Sequence, residues 1–367
     1  MAEENQSVPK QDQAAEQNLL LLQSSPHIVR PQDTSWIMSN VIVALIPASA
    51  WGVYIFGISA FVTIFVSIAF AFIGEALFRR LTKQESHIKD CSAVVTGLLL
   101  ALVIPPSTPI WMTALAALFA VIVAKEFFGG IGGNVFNPAL AGRAFLLMSF
   151  PAAATTWMKA DGFKMPFSQL SSPESLAKAA LDGITGPTPL GFIKEGVSSG
   201  AIANWSEGLG ALATQMGLSS NGEVYKQLFF GYRGGSIGET SIFLILIGGI
   251  FLLLRGIIDW RAPFALIVTS FIASCALGMD PIFSILSGGI VFGAVFMATD
   301  YTTTPVTEAG KIIFGIGAGL LAVLIRKYGN YPEGASYGIL IMNMAVPFLN
   351  RILRKKYGFV KPKKAAK

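Results

Sequence analysis

From residue 36 onward the chain is a series of apolar runs separated by short polar breaks. Each run approaches the ~20 residues that cross ~30 Å of hydrocarbon. The runs fall at 36–55, 58–78, 91–104, 110–125, 136–151, 239–256, 262–278, 282–298, 310–326 and 334–350. The third and eighth are short and carry glycine. A hydrophilic tail precedes the first run, and one long polar stretch separates the fifth from the sixth. This pattern predicts an all-α integral membrane protein of about ten transmembrane helices. Its divisions are a cytoplasmic N-terminal tail (1–34), a first membrane repeat (35–151), an extracytoplasmic loop (152–238), a second membrane repeat (239–350) and a basic cytoplasmic tail (351–367).

Composition agrees. The 367 residues are 53% hydrophobic and only 13% charged, about half the charged share of a soluble domain. Residues 1–25 are polar, with neither an apolar core nor a small-residue cleavage site, so the first helix is expected to act as its own insertion signal. Leu19–Leu22 followed by Ser24-Ser25-Pro26-His27 reads as a short segment against the membrane surface. Basic residues set the orientation. Arg79, Arg80, Lys83 and Lys89 follow the second run, and Arg351, Arg354, Lys355, Lys356, Lys361, Lys363, Lys364 and Lys367 fill the tail. Both sets belong in the cytoplasm, which places both termini inside and residues 152–238 outside. Arg326 and Lys327 run against that assignment. The basic tail also suits anionic membrane lipid. Cys91, Cys275, His27 and His87 lie too far apart for a zinc or haem spacing, and no metal site is expected.

The two halves resemble each other. Gly97–Pro109 matches Gly293–Pro305 in length, each ending at a proline after a polar kink. Gly132-x4-Asn137-x-Ala139 matches Gly338-x4-Asn343-x-Ala345. Five runs per half would make this an inverted-topology repeat, which places irregular backbone and a ligand near the bilayer midplane.

Polar residues inside apolar runs are costly and mark either pathways or packing. Asn134, Asn137 and Arg143 follow the glycine cluster Gly129-Gly130-Ile131-Gly132-Gly133. Their amides suit the pyrimidine edge of a flavin and equally suit a helix–helix contact. Asn343, Asp300 and Thr302-Thr303-Thr304 are the second-half counterparts. No Gly-Lys-Ser/Thr follows the glycines, so a nucleotide-phosphate loop is not expected. Farther on, Ser236 and Glu239 fit a capping box at the entry to the second half.

The polar stretch contains Asp182-Gly183-Ile184-Thr185-Gly186-Pro187-Thr188-Pro189-Leu190. Two glycines and two prolines in nine residues describe a tight, exposed turn rather than a helix or central strand. On composition alone it reads as a surface loop holding two threonine hydroxyls.

That turn resembles the acceptor motif for phosphoester-linked flavin mononucleotide (FMN). In the resemblance Asp182 is the upstream acid, Thr185 and Gly186 begin the motif, and Thr188 carries the FMN. Pro187 stands where such motifs have alanine, and Thr185 is the alternative acceptor. With GGNVFNPALAGRAF, GSIGETS, MATDYTTTPVTEAGKIIFGIGAGLL and YPEGASYGILIMNMAVPFLNR in this order, the chain resembles the RnfD branch of the NqrB/RnfD family over residues 24–352. The resemblance implies covalent FMN outside, a non-covalent riboflavin nearer the cytoplasm, and a flavin transferase during maturation. It also implies the partner subunits RnfG, RnfA, RnfE, RnfC and RnfB. It places the chain in the bacterial cytoplasmic membrane, within an ion-translocating ferredoxin:NAD+ oxidoreductase coupled to Na+ or H+. No residue is expected to catalyse a reaction on a substrate, because the cofactor carries the redox chemistry, and nothing points to nucleic acid. Asn137, Arg143 and Asn343 are the candidate flavin contacts in the bundle. The competing reading, open from the residues alone, is a channel or secondary transporter for a small polar solute.

Overall fold

The computed structural model describes residues 33–83, 90–159, 186–329 and 333–353. Ser24–His27, His87, Lys89, Asp182, Thr185 and the tail from Arg354 lie outside them. Every regular element among the described residues is helical.

Asp33 starts α1 (Thr34–Phe56) by accepting the Thr34 N–H at 2.7 Å. Gly57, at φ +69°, turns the chain into α2 (Ile58–Thr82), a conformation glycine adopts without a Cβ penalty. Helix α3 (Ser92–Val103) has 12 residues, about 18 Å at 1.5 Å per residue. It stops where Pro105 and Pro106 follow. Helix α4 (Ile110–Leu118) continues through a π-helical turn at Phe119–Val123. Helix α5 (Pro138–Ser149) begins at Asn137, whose side-chain oxygen accepts the Ala139 and Leu140 N–H groups. Pro138 occupies the first turn, where its missing N–H costs nothing. The short α6 (Pro151–Ala154) closes the first half.

The second half holds α10 (Ile242–Leu254), α11 (Arg261–Ala276), α12 (Pro281–Leu286), α13 (Ile290–Phe292), α14 (Glu308–Tyr328) and α15 (Ala335–Leu353). Helix α13 runs on as a π-helical turn at Gly293–Met297. All ten apolar runs thus carry helix. Among the described residues, four helices are long and apolar enough to cross a membrane: Thr34–Phe56, Ile58–Thr82, Ile110–Phe128 and Glu308–Tyr328. The eighth run is broken between α12 and α13.

Small residues let the helices touch. A Cβ at Gly315 would stand 2.6 Å from the Ala262 carbonyl oxygen, and one at Gly319 would stand 2.6 Å from that of Leu266. This Gly-x3-Gly pair brings α14 backbone-to-backbone against α11. Gly97 does the same for α3 on α2, where Ser67 donates to the Gly97 carbonyl at 2.7 Å.

Part of the polar stretch is a folded cap. Helices α7 (Pro189–Ser198), α8 (Trp205–Gln215) and α9 (Asn221–Phe230) share a small core of Leu190, Ile193, Leu209, Leu212, Val224 and Leu228, packed on Phe283 of α12. Tyr225 donates to Asp280 at 2.8 Å, and Asp280 itself caps α12 through the Phe283 N–H at 2.7 Å. The cap is therefore tied to the start of the broken helix.

The two segment matches fare differently. Gly97–Pro109 and Gly293–Pro305 both run from a helix into the loop before the next helix. Gly132 and Asn137 sit in a loop and at a helix start, whereas Gly338 and Asn343 lie inside α15. That second match shares residues without sharing local structure.

Candidate functional site

Thr188 is the N-cap of α7: its hydroxyl oxygen accepts the Gly191 N–H at 3.0 Å. Pro189 occupies the first turn, and the prolines thus start a helix as well as ending a loop. The expectation of an exposed hydroxyl is corrected, because Thr188 is only 6% exposed. The reason is that the cap core draws Leu190 and Ile193 inward, and Thr188 comes with them. Gly186 is half-buried beside Lys159, and its N–H bonds the Trp157 carbonyl at 3.0 Å.

Thr188 opens onto a small pocket, with about 280 Å³ of space between atoms. Pro189, Leu190, Arg233, Gly234, Glu239, Gly288 and Glu333 line the rest. Glu239 is at the centre of its charge. The expected capping box at Ser236 and Glu239 is not formed. Ser236 makes no side-chain cap, and α10 is capped instead by Ser241. The Glu239 carboxylate faces Arg143 Nη1 at 3.5 Å. Arg143 also pairs with Glu333 and donates to Ser336 Oγ at 3.0 Å. Arg233 donates to the Leu286 and Glu239 carbonyls. Arg326 donates to the carbonyls of Ser284 and, at 2.9 Å, Ser287. Two guanidiniums thus satisfy the carbonyls freed where α12 breaks, as backbone away from water requires. Burial pulls the Arg233 guanidinium down to about 10, and Glu239 opposes that shift. Burial, then Arg326, lowers the Lys194 ammonium on α7.

A second and larger space lies at the other end of α5. This cleft holds about 830 Å³ between atoms and is lined by Val95, Leu99, Leu252 and Phe296 with Ser92, Thr96, Lys125, Asn134, Asn137, Asp300, Tyr301 and Thr302. It is a largely apolar space with a few polar groups, the lining chemistry of small-molecule sites. Asn134 is held by its own bond to the Phe136 carbonyl at 3.0 Å. Asn343 is buried beside this wall. In the amide orientation that satisfies its neighbours, it accepts the Asn137 N–H at 3.1 Å and donates to Ile339 and Thr303 carbonyls at 3.2 Å. The structure therefore joins Asn137 and Asn343, while Arg143 belongs with the Thr188 pocket. Asp300 accepts from Thr302 and Thr303 hydroxyls at 3.3 and 3.0 Å.

A further buried cluster borders the cleft. Lys125 Nζ lies 2.7 Å from Glu75 and 2.6 Å from Ser92 Oγ, and Arg79 Nε lies 3.1 Å from Glu126. Sequence reasoning singled out Glu239 as a cap and Arg143 as a ligand contact. It missed the assembly of Arg143, Arg233, Glu239, Arg326 and Glu333 near Thr188. Their only shared signal was that each is a charge in or beside an apolar run. Among the described residues no His, Cys, Asp and Glu cluster is placed to hold a metal ion.

The family described as NQR2, RnfD, RnfE matches residues 21–358. The chain is 40% identical over 352 residues to the D subunit of the Na(+)-translocating ferredoxin:NAD(+) oxidoreductase complex of Acetobacterium woodii, covering 95% of this chain and 98% of that one. It is 39% identical to the D subunit of the proton-translocating ferredoxin:NAD(+) oxidoreductase complex of Clostridium ljungdahlii, covering 93% and 97%. It is 37% identical to the D subunit of the ion-translocating oxidoreductase complex of Stutzerimonas stutzeri, covering 88% and 91%. With a family match across most of its length and relatives aligned nearly end to end, this chain belongs to the NQR2, RnfD, RnfE family.

Proposed function

We propose that this chain is the D subunit of a membrane-bound, ion-translocating ferredoxin:NAD+ oxidoreductase. It passes electrons across the bilayer through flavins, as one of several subunits that include RnfG, RnfA, RnfE, RnfC and RnfB. End-to-end similarity to D subunits supports the complex. The observation that supports the flavin is Thr188, a hydroxyl at a helix N-terminus opening onto a pocket with a buried guanidinium. Helix N-termini and arginines favour a phosphate, and that is the group a phosphoester-linked FMN would place there.

When bound, the flavin supplies reversible electron transfer, and the protein's own residues supply position and charge. Thr188 would hold the FMN through its Oγ, with Arg233 beside the phosphate. Asp182, Thr185 and Gly186 would present the turn to the transferase. The cleft would hold riboflavin, with Asn134 and Asn137 offering amides to its polar edge and Val95, Leu99 and Phe296 packing its rings. Helix α5 connects the two sites. Arg143 is six positions beyond Asn137, about 9 Å along the axis.

The remaining layout belongs to this reading. Ten spans form two inverted repeats, both termini are cytoplasmic, and the cap of α7–α9 with Thr188 lies outside. The relatives' names assign sodium to one protein and protons to another, so the family does not dictate the coupling ion. The test is co-expression with a flavin transferase and mass spectrometry of the Thr188 peptide. FMN mass on wild type and its complete loss in Thr188→Ala is the expected result. A Thr188→Ala chain that still fluoresces on a denaturing gel moves the attachment to Thr185.

A further inference from the structure

The cap of α7–α9 meets the helical bundle through a group of aromatic rings. Trp51, near the end of α1, donates its indole N–H at 3.4 Å to the carbonyl of Gly231, which ends α9. A Cβ at Gly231, where φ is +104°, would stand 2.6 Å from that indole nitrogen. Glycine is what permits the approach. Trp51 also contacts Tyr54 and Tyr232, with ring centroids 5.4 and 5.6 Å away. Beside them, Phe230 contacts Phe243 of α10 at 5.8 Å.

These rings do not close into a core. Tyr54 is 73% exposed, Tyr232 53% and Phe230 50%. They continue a surface that is turned away from protein. Val43, Ile46, Ala50 and Tyr54 recur at helical spacing on α1 and are all exposed, and Phe243, Ile247, Ile250 and Leu254 do the same on α10. The two helices lie side by side, since a Cβ at Gly248 of α10 would strike the Ala44 carbonyl of α1. Helix α1 is long and apolar enough to cross a membrane, and an apolar stripe facing outward from such a helix faces acyl chains. On α1 the stripe ends at Tyr54, beside Trp51 and Tyr232. Tyr and Trp favour the membrane–water boundary, where the ring body is in an apolar medium and the polar edge is wet. Lys226 is exposed one turn before Phe230 on the same face of α9. A lysine stem there carries its charge from apolar surface to the level of lipid phosphates.

We infer that the patch of Tyr54, Phe230 and Tyr232 is a membrane-interface anchor for the cap. Its occupant is the headgroup and upper acyl region of the bilayer, with Lys226 among the phosphates. The anchor reaches the candidate site through the cap's own core. Leu228 of α9 packs in the same cluster as Leu190 of α7, two positions from Thr188. Holding the end of α9 in the interface therefore holds α7, and the pocket at Thr188, at one height above the lipid. A carrier joined to Thr188 would then meet its electron partners at one distance.

The experiment places a reporter in the patch of the full-length protein in phosphatidylcholine vesicles. Phe230→Trp adds one indole to the six of the native chain, and the difference from wild type isolates its emission. Phosphatidylcholine brominated close to the headgroup should remove more of the added emission than lipid brominated at the chain end, and aqueous iodide should remove little. Ser219→Trp, in the exposed turn before α9, should respond the other way, to iodide and not to brominated lipid. Tyr232→Trp gives the same reading from the neighbouring position if Phe230→Trp does not fold. An added indole reached by iodide and untouched by brominated lipid means that the cap stands off the membrane, and overturns the anchor. An indole shielded from both quenchers means that protein covers the patch, whether a second copy or another subunit, and overturns it equally. Protein without FMN serves as well as loaded protein, so failure of the flavin reading at Thr188 leaves this result unchanged.

Discussion

The two buried charge clusters of this protein are built from the same side chains to different ends. Glu75, Arg79, Lys125 and Glu126 pair off within the first half, with Lys125 locked between Glu75 and Ser92. Arg143, Arg233, Glu239, Arg326 and Glu333 come from separate stretches of chain; Arg143 takes both carboxylates, while Arg233 and Arg326 bond backbone carbonyls. The first cluster is complete by itself and borders a cleft. The second borders a pocket with a threonine hydroxyl in its wall. Buried charge alone therefore says little about function, and what each cluster borders says more.

The largest expected effect tests whether the first cluster is self-contained. Among the described residues, Lys125→Met leaves Glu75 and Glu126 with Arg79 as their cation, and loss of one partner of a buried pair costs about 3–5 kcal/mol. Chemical denaturation in detergent should show that loss equally with and without flavin, and Glu75→Gln in the same chain should recover part of it. In the second cluster, Arg233→Met in the unmodified chain strands the Leu286 and Glu239 carbonyls, at about 1–3 kcal/mol each. The stranded carbonyls are neutral, whereas Lys125→Met strands a buried charge, so the net change should be smaller than for Lys125→Met. A larger one would break the comparison.

Smaller effects sharpen it. Tyr225→Phe removes the tie between the cap and α12, at about 1 kcal/mol, and should loosen α7 together with Thr188. Burial, then the bond to Asp280, pushes the Tyr225 phenol up to about 12. Its contribution is thus fully present below pH ~10 and is lost as pH rises toward 12, a dependence Tyr225→Phe should abolish. The smallest effect is expected at Asp259, which meets Arg261 and Lys311 at 2.9 Å in a partly exposed group. Burial raises this carboxyl, but the bonds from Lys311 and Arg261 outweigh it and hold it below the usual range. Its contribution is present above pH ~3.9 and is lost as pH falls through the lower folded value. Asp259→Asn should cost at most about 1 kcal/mol.

Much of the helical framework was legible in the chain, because lipid demands continuous apolar runs and each run became helix. The break at Ser287–Gly289 was foreshadowed only by the glycines of a short run, since glycine in a helix and glycine at a break look alike in sequence. Residues 152–238 read as a polar interruption. Yet 189–230 holds three amphipathic helices whose core, Leu190 to Leu228, is too short and too spaced to register as a span. At the site, the stretch 182–190 was readable as a local motif, and Thr188 was its natural focus. Its burial was not, because the cap that encloses it is tertiary. Glu239 satisfied the spacing of a capping box and was claimed instead by Arg143, 96 residues away in sequence. Arg326 looked like a topological anomaly. Its place against the end of α12 accounts for it, since its charge is used inside the protein and not at a loop.

The glycine pair of α14 has a bearing on how the molecule can respond when electrons arrive. Gly315 and Gly319 seat α14 directly on the main chain of α11, and Arg326 sits farther along that same helix. The seam is backbone and small side chains, with Ala265 and Ser270 of α11 against the two glycines, so α14 is held closely along it. The break after α12 is held differently, by Arg233 at the Leu286 carbonyl and Arg326 at the Ser287 carbonyl. A change of charge at the pocket acts on Arg233 in its wall, and through that guanidinium on the end of the broken helix.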